Sequence, residues 1–166
     1  MCCIADAKAT FIMCIIRCPG SYQLRSLEPQ HAKILASHYP YSGANIVSWF
    51  EDLISKYPSV AAYSKSHPFN PVSWIMQYET GEIGNSYTLK MHWKKGLSLA
   101  CLTSLFQSIA DSGQDDLCFY MTDVGFDSFF ERFGMVNTDG YQVYYAEKLE
   151  RQNSSDDLEK TSYMIA

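Results

Sequence analysis

The sequence predicts an α/β protein built on a mixed β-sheet with helices on both faces. Three observations carry that expectation. Extended and helical periodicities alternate along most of the chain, the segment 71–93 reads as a β-hairpin, and its second strand then runs straight into an amphipathic helix through Lys94-Lys95-Gly96-Leu97-Ser98.

Residues 22–27 alternate as a short strand, and Pro29 suits the first turn of a helix over 30–39, where its missing N–H has no partner to lose. Pro40 to Gly43 breaks that helix. Ile46, Val47, Phe50, Leu53, Ile54 and Tyr57 mark one face of a second helix, with Glu51, Asp52 and Lys56 left to solvent and Pro58 at its end. A short strand at 60–63 and a polar loop at 64–70 come next.

The hairpin follows, its arms at 71–78 and from 83 onward joined by Glu79-Thr80-Gly81-Glu82, and the second arm stays β-like to Trp93. Leu97, Cys101, Leu105 and Ile109 recur every fourth position in the helix that follows, which Gly113 stops. The apolar run 117–122 fits a strand covered on both faces, Phe126, Phe129, Phe130 and Phe133 repeat at helical spacing before Gly134, and 141–149 returns as a strand. The polar segment 150–166 is expected to form a flexible tail.

With 166 residues, 47% of them hydrophobic, the chain can bury one sizeable core. A net charge of −5 and a pI near 5.3 exclude non-specific nucleic-acid binding as a theme, though a local basic spot at Lys90, Lys94 and Lys95 remains. The six cysteines include no C-x-x-C pair and no histidine at zinc-finger spacing, so no metal site is expected, and Cys101 and Cys118 read as small buried hydrophobes of a reducing compartment. Cys2-Cys3 offers a palmitate acceptor but lacks a second membrane signal. The apolar run 9–16 is too short to span a bilayer and reads as a strand or an atypical leader, so the expectation is an intracellular protein, cytoplasmic or mitochondrial.

The junction ahead of the helix at Leu97 holds most of the chemistry. A helix start carries unpaired N–H groups and partial positive charge, Lys94 and Lys95 add to it, and Gly96 lets a bulky anion approach. Solvated lysines before a helix are common, so the pattern admits a phosphate site or a plain helix start. Glu82 likewise admits two readings, a solvated hairpin residue or a general base, with Glu79 as an alternative. His92 reads as a surface residue at a strand end.

From residue 22 to about 145 the chain resembles the catalytic C-terminal part of glycine N-acyltransferases and their relatives, within the GNAT superfamily of acyl-CoA N-acyltransferases. The matching stretches are YQLRSLEPQHA, the helix ending in YPS, and NPVSWIMQYETGEIGNSYTLKMHWKKGL, of which P-V-x-W, T-G-E and K-K-G-L are the most specific. The resemblance divides the chain into an unmatched segment 1–21, a GNAT-like domain over 22–149 and the tail 150–166. It implies a splayed sheet, with the pantetheine of acyl-CoA along the strand that ends near Trp93 and the pyrophosphate over Lys94, Lys95, Gly96, Leu97 and Ser98.

By the same resemblance Glu82 is the general base, and a backbone N–H near Leu89, Lys90 or Met91 holds the oxyanion. A tyrosine, Tyr87, Tyr120 or Tyr144, would return the proton to the thiolate. Two departures stand out. The superfamily's loop runs Arg or Gln, two residues, Gly, one residue, Gly or Ala; here Trp93 and Ser98 occupy its ends, and Phe126 stands where many members have asparagine.

The implied activity is acyl transfer from acyl-CoA, a cosubstrate rather than a tightly bound cofactor, to the amine of glycine or a similar small amino acid. A polyamine or protein amine acceptor, or a non-catalytic acyl-CoA-binding module, are the alternatives. The oligomeric state has no signature in the sequence.

Overall fold

The computed structural model describes residues 2–6, 17–41, 43–113, 116–120 and 136–138. Its strands are β1 (Cys2–Asp6), β2 (Tyr22–Arg25), β3 (Ser59–Ser64), β4 (His67–Gln77), β5 (Glu82–Thr88), β6 (Asp116–Tyr120) and β7 (Val136–Thr138). The helices are α1 (Ala32–His38), α2 (Ile46–Lys56) and α3 (Leu97–Asp111), with 3-10 turns at Pro29–His31 and Lys90–His92. The expected run at 9–16, the helix through Phe126 to Phe133, the strand at 141–149 and the tail lie outside the described residues.

One mixed sheet of seven strands, in the order β2-β3-β4-β5-β6-β1-β7, contains every described strand. Neighbours are antiparallel except β5 and β6, which α3 joins as a crossover and which run parallel. The sheet separates two cores. On one face Leu97, Cys101, Leu105 and Ile109 of α3 pack with Val60, Val72, Ile75 and Ile83. On the other, Leu35 of α1 and Phe50, Leu53 and Ile54 of α2 pack with Ala61, Tyr63, Trp74 and Met76. The helices therefore cover both faces, as the periodicities require.

Three local expectations are corrected. Residues 64–70 are not a loop: β3 and β4 meet through a short turn at Lys65-Ser66, held by the Lys65 N–H on the Ser21 carbonyl at 3.0 Å. The second hairpin arm ends at Thr88, not Trp93, because the Leu89 N–H returns to the Val72 carbonyl at 2.9 Å and the chain then curls into the turn Lys90–His92. Residues 2–6 form a strand that the sequence reading passed over, set between β6 and β7 with Ile4 opposite both Cys118 and Val136.

Cys101 is fully buried on α3, and burial pushes its thiol up to about 12. The native protein should leave Cys101 unmodified by iodoacetamide at pH 8 and release it for alkylation only on unfolding, a difference that mass spectrometry of the Cys101 peptide reads directly.

Candidate active site

The site is organised by β5. Among the described residues its pairing with β6 sets Glu82 opposite Cys118 and Ile83 opposite Phe119. On its other edge β5 follows β4 from Gln77/Ile83 and Met76/Gly84, then jumps to Trp74/Tyr87. One residue of β4, Ile75, thus faces two of β5, a bulge at Asn85-Ser86, where Asn85 takes a left-handed φ of 49°. Asparagine is among the few residues that adopt this conformation at small cost. A bulge bends its strand and sharpens its twist.

Glu82 begins β5, opposite Cys118 of β6, and is only 7% exposed. The turn before it is closed by the Gly81 N–H on the Tyr78 carbonyl at 3.0 Å and the Tyr78 N–H on the Glu82 carbonyl at 2.7 Å, with Gly81 at a φ of 93°. Ile83 packs against α3, so the alternation of the strand assigns Glu82 and Gly84 to the opposite face, that of α1 and α2.

That face is lined with aromatic rings. Tyr78 stacks on Trp49 at 5.8 Å, and Tyr87 lies between His38 at 4.7 Å and Trp74 at 5.2 Å. The Trp74 indole N–H is buried and has no hydrogen-bond partner among the described residues. Gly84 is what lets Tyr78 lie down: a Cβ at this position would sit 2.4 Å from Tyr78 Cε2. Gly84→Ala should therefore displace the ring and cost about 1–3 kcal/mol, read as a lower denaturation midpoint at unchanged m-value.

At the other end of β5, six residues or about 20 Å of strand from Glu82, the chain turns into α3. The Trp93 indole donates to the Thr88 carbonyl at 2.6 Å, which caps the strand end and leaves the ring 53% exposed. Lys94 and Gly96 both take left-handed φ values, 59° and 73°. Gly96 is the N-cap residue and no side chain caps the helix; the first intrahelical bond is Ala100 N–H to the Gly96 carbonyl at 3.0 Å. The amides of Leu97, Ser98 and Leu99 are thus the helix-start donors without intrahelical acceptors. Open space surrounds the Gly96 Cα, Leu97 is anchored in the core, and Ser98 is exposed with its hydroxyl 3.3 Å from that of Ser86.

Around this turn Tyr22, His92 and Lys95 form a cluster. The Lys95 ammonium donates to the Tyr22 hydroxyl at 3.0 Å and to the Met91 carbonyl at 3.2 Å, and Tyr22 Oη lies 2.9 Å from His92 Nδ1. Partial burial and the Lys95 charge both hold His92 below the usual histidine pKa.

Of the residues the sequence marked, Glu82 lies at one end of β5, and Lys94, Lys95, Gly96, Leu97 and Ser98 lie at the other. Leu89, Lys90 and Met91 are off the sheet, and Leu89 has committed its N–H to Val72. Glu79 is exposed, Tyr87 sits in the aromatic stack, Tyr120 ends β6, and Tyr144 and Phe126 fall outside the described residues. The bulge at Asn85 and the aromatic wall escaped sequence reading. G-N-S interrupting a strand pattern is the only local signal of the bulge, and the wall assembles from four separate elements. No cluster of metal-ligating side chains occurs among the described residues, and none of their helices is long and apolar enough to cross a membrane.

No family model and no curated protein sequence matches the chain. Solved structures do. A Drosophila protein superposes with a TM-score of 0.74 at 16% identity over 82% of this chain and 46% of its own. A GCN5-related N-acetyltransferase from Sphaerobacter thermophilus gives 0.62 at 15% identity, over 81% of this chain and 47% of its own. Glucosamine-6-phosphate N-acetyltransferase from Arabidopsis thaliana gives 0.57 at 14% identity, over 76% of this chain and 99% of its own. The chain spans about half the length of the first two. At these identities the likeness establishes the fold, that of the GNAT N-acetyltransferases.

Proposed function

We propose that this GNAT-fold chain is an acyl-CoA N-acyltransferase that moves an acyl group directly from acyl-CoA to a small amine, with glycine or a similar amino acid as acceptor. The observation that carries the reading is the polarity of β5. A buried carboxylate stands at the end of the strand that pairs with β6, and an uncapped, lysine-flanked helix start follows its other end.

In this reading the donor's pyrophosphate lies over the amides of Leu97, Ser98 and Leu99, assisted by Lys94 and Lys95. Its pantetheine arm follows β5 and delivers the thioester toward Glu82. The amine nitrogen forms a bond to the thioester carbon, the ammonium proton passes to Glu82 directly or through one water, the C–S bond breaks, and the thiolate leaves as CoA after taking up a proton. At 7% exposure Glu82 is not the solvated turn residue that its sequence neighbours suggest. We place the oxyanion donor in the bulge at Asn85-Ser86 rather than at Leu89, whose N–H is already engaged. The aromatic rings of Tyr78, Trp49 and Tyr87 then wall the acceptor side.

Thiol release from acetyl-CoA and benzoyl-CoA over a panel of amino acids, polyamines and peptides tests the proposal. Turnover with a small amino acid supports it, and turnover confined to polyamines or peptides moves the acceptor class. CoA binding without turnover on any amine replaces the enzyme by an acyl-CoA-binding module.

A further inference from the structure

We infer that Tyr22 is a positioning residue for the donor site: it locks Lys95 so that the ammonium is presented beside the start of α3, ready for a phosphate. The inference rests on the acyl-CoA reading above. Tyr22 opens β2 and is 73 positions from Lys95 in sequence, so the contact ties the turn before α3 to a strand on the far side of β3 and β4.

A lysine ammonium only donates, so at 3.0 Å the Tyr22 oxygen accepts from Lys95. We assign the Tyr22 hydroxyl proton to His92 Nδ1, 2.9 Å away, with that nitrogen bare. His92 is accordingly neutral with its proton on Nε2, and its ring stands edge-on to Tyr22, at 82° and 5.7 Å. The lowered pKa of His92 agrees with this state. Protonating Nδ1 would turn two cations onto one hydroxyl oxygen.

Lys95 gives a second N–H to the Met91 carbonyl, which leaves the third. Two of three donors are thereby fixed in a side chain that is otherwise exposed and long, and the rotamer freedom that a loose lysine surrenders on meeting a phosphate has been surrendered beforehand. Lys95 immediately precedes Gly96, the N-cap residue, so its side chain is anchored one residue before the helix start. Neither Tyr22 nor His92 needs to touch the ligand. Tyr22 acts through Lys95, and His92 acts by orienting the Tyr22 hydroxyl.

The test is a double-mutant cycle on the full chain, with CoA binding measured by calorimetry for wild type, Tyr22→Phe, Lys95→Met and the double variant. Tyr22→Phe should weaken CoA about tenfold and Lys95→Met at least as much, the scale of one charge-assisted hydrogen bond. The double variant should bind within about twofold of Lys95→Met alone, because the hydroxyl has nothing left to position. The His92 13Cδ2 shift should report the Nε2–H tautomer in wild type and lose that signature in Tyr22→Phe. Effects that multiply, or a Tyr22→Phe variant that binds CoA as wild type does, overturn the inference and leave the acyl-CoA reading intact. A wild-type chain that does not bind CoA overturns both.

Discussion

Glu82→Gln should lower turnover by roughly a hundredfold or more while leaving the affinity for acyl-CoA within about twofold of wild type. The substitution keeps the shape of a residue that is 7% exposed and sits at the first ladder position of β5, so the fold should tolerate it. What it removes is the ability to accept a proton. The two readouts must separate. Donor binding depends on the far end of β5, about 20 Å of strand away, and has no reason to register the change. Turnover measured at saturating acyl-CoA and amine isolates the chemical step. Raising the pH should rescue part of the lost rate, since an amine that arrives already neutral needs no base. Unchanged turnover removes Glu82 from the mechanism; equal loss of binding and rate instead makes it part of the wall that holds the donor.

The architecture that places Glu82 was legible because local pattern governs most of it. The apolar stripes of α2 and α3, the proline at the start of the Pro29 turn and the polar turn before Glu82 are each readable within a dozen residues, and the structure puts these elements where the pattern does. The failures share a cause, which is pairing between residues distant in sequence. β1 is five residues long and gains its place only from β6 and β7, more than 110 positions away.

The end of β5 is decided by a hydrogen bond from Leu89 back to Val72 and by the Trp93 indole on Thr88, neither of which a run of β-prone residues encodes. Burial of Glu82 is a tertiary fact of the same kind. In sequence it stands among Glu79, Thr80 and Gly81, which read as solvated, and only the packing of β4, β5 and Tyr78 encloses it. Family resemblance singled out Glu82, which periodicity left as a turn residue. It missed the bulge at Asn85, because the bulge replaces no side chain that a motif would record.

Gly96→Glu should weaken CoA on the order of a hundredfold while leaving the fold in place. Gly96 has a φ of 73°, which costs any other L-residue about 1 kcal/mol, yet a Cβ there meets nothing within 4 Å. A carboxylate at the start of α3 is also well placed in the free protein, where it offsets part of that strain through the helix dipole. The penalty therefore falls on the ligand: a negative charge within about 5 Å of a diphosphate costs about 3 kcal/mol at an effective dielectric near 20. Gly96→Ala separates backbone from charge, since it carries the strain without the carboxylate and should bind CoA within about threefold of wild type. If alanine weakens CoA as much as glutamate does, the left-handed backbone at Gly96, rather than access to the amides, is what the donor requires. If neither substitution matters, the start of α3 is not where the phosphates lie, and β5 would have to guide an acyl donor from some other anchor.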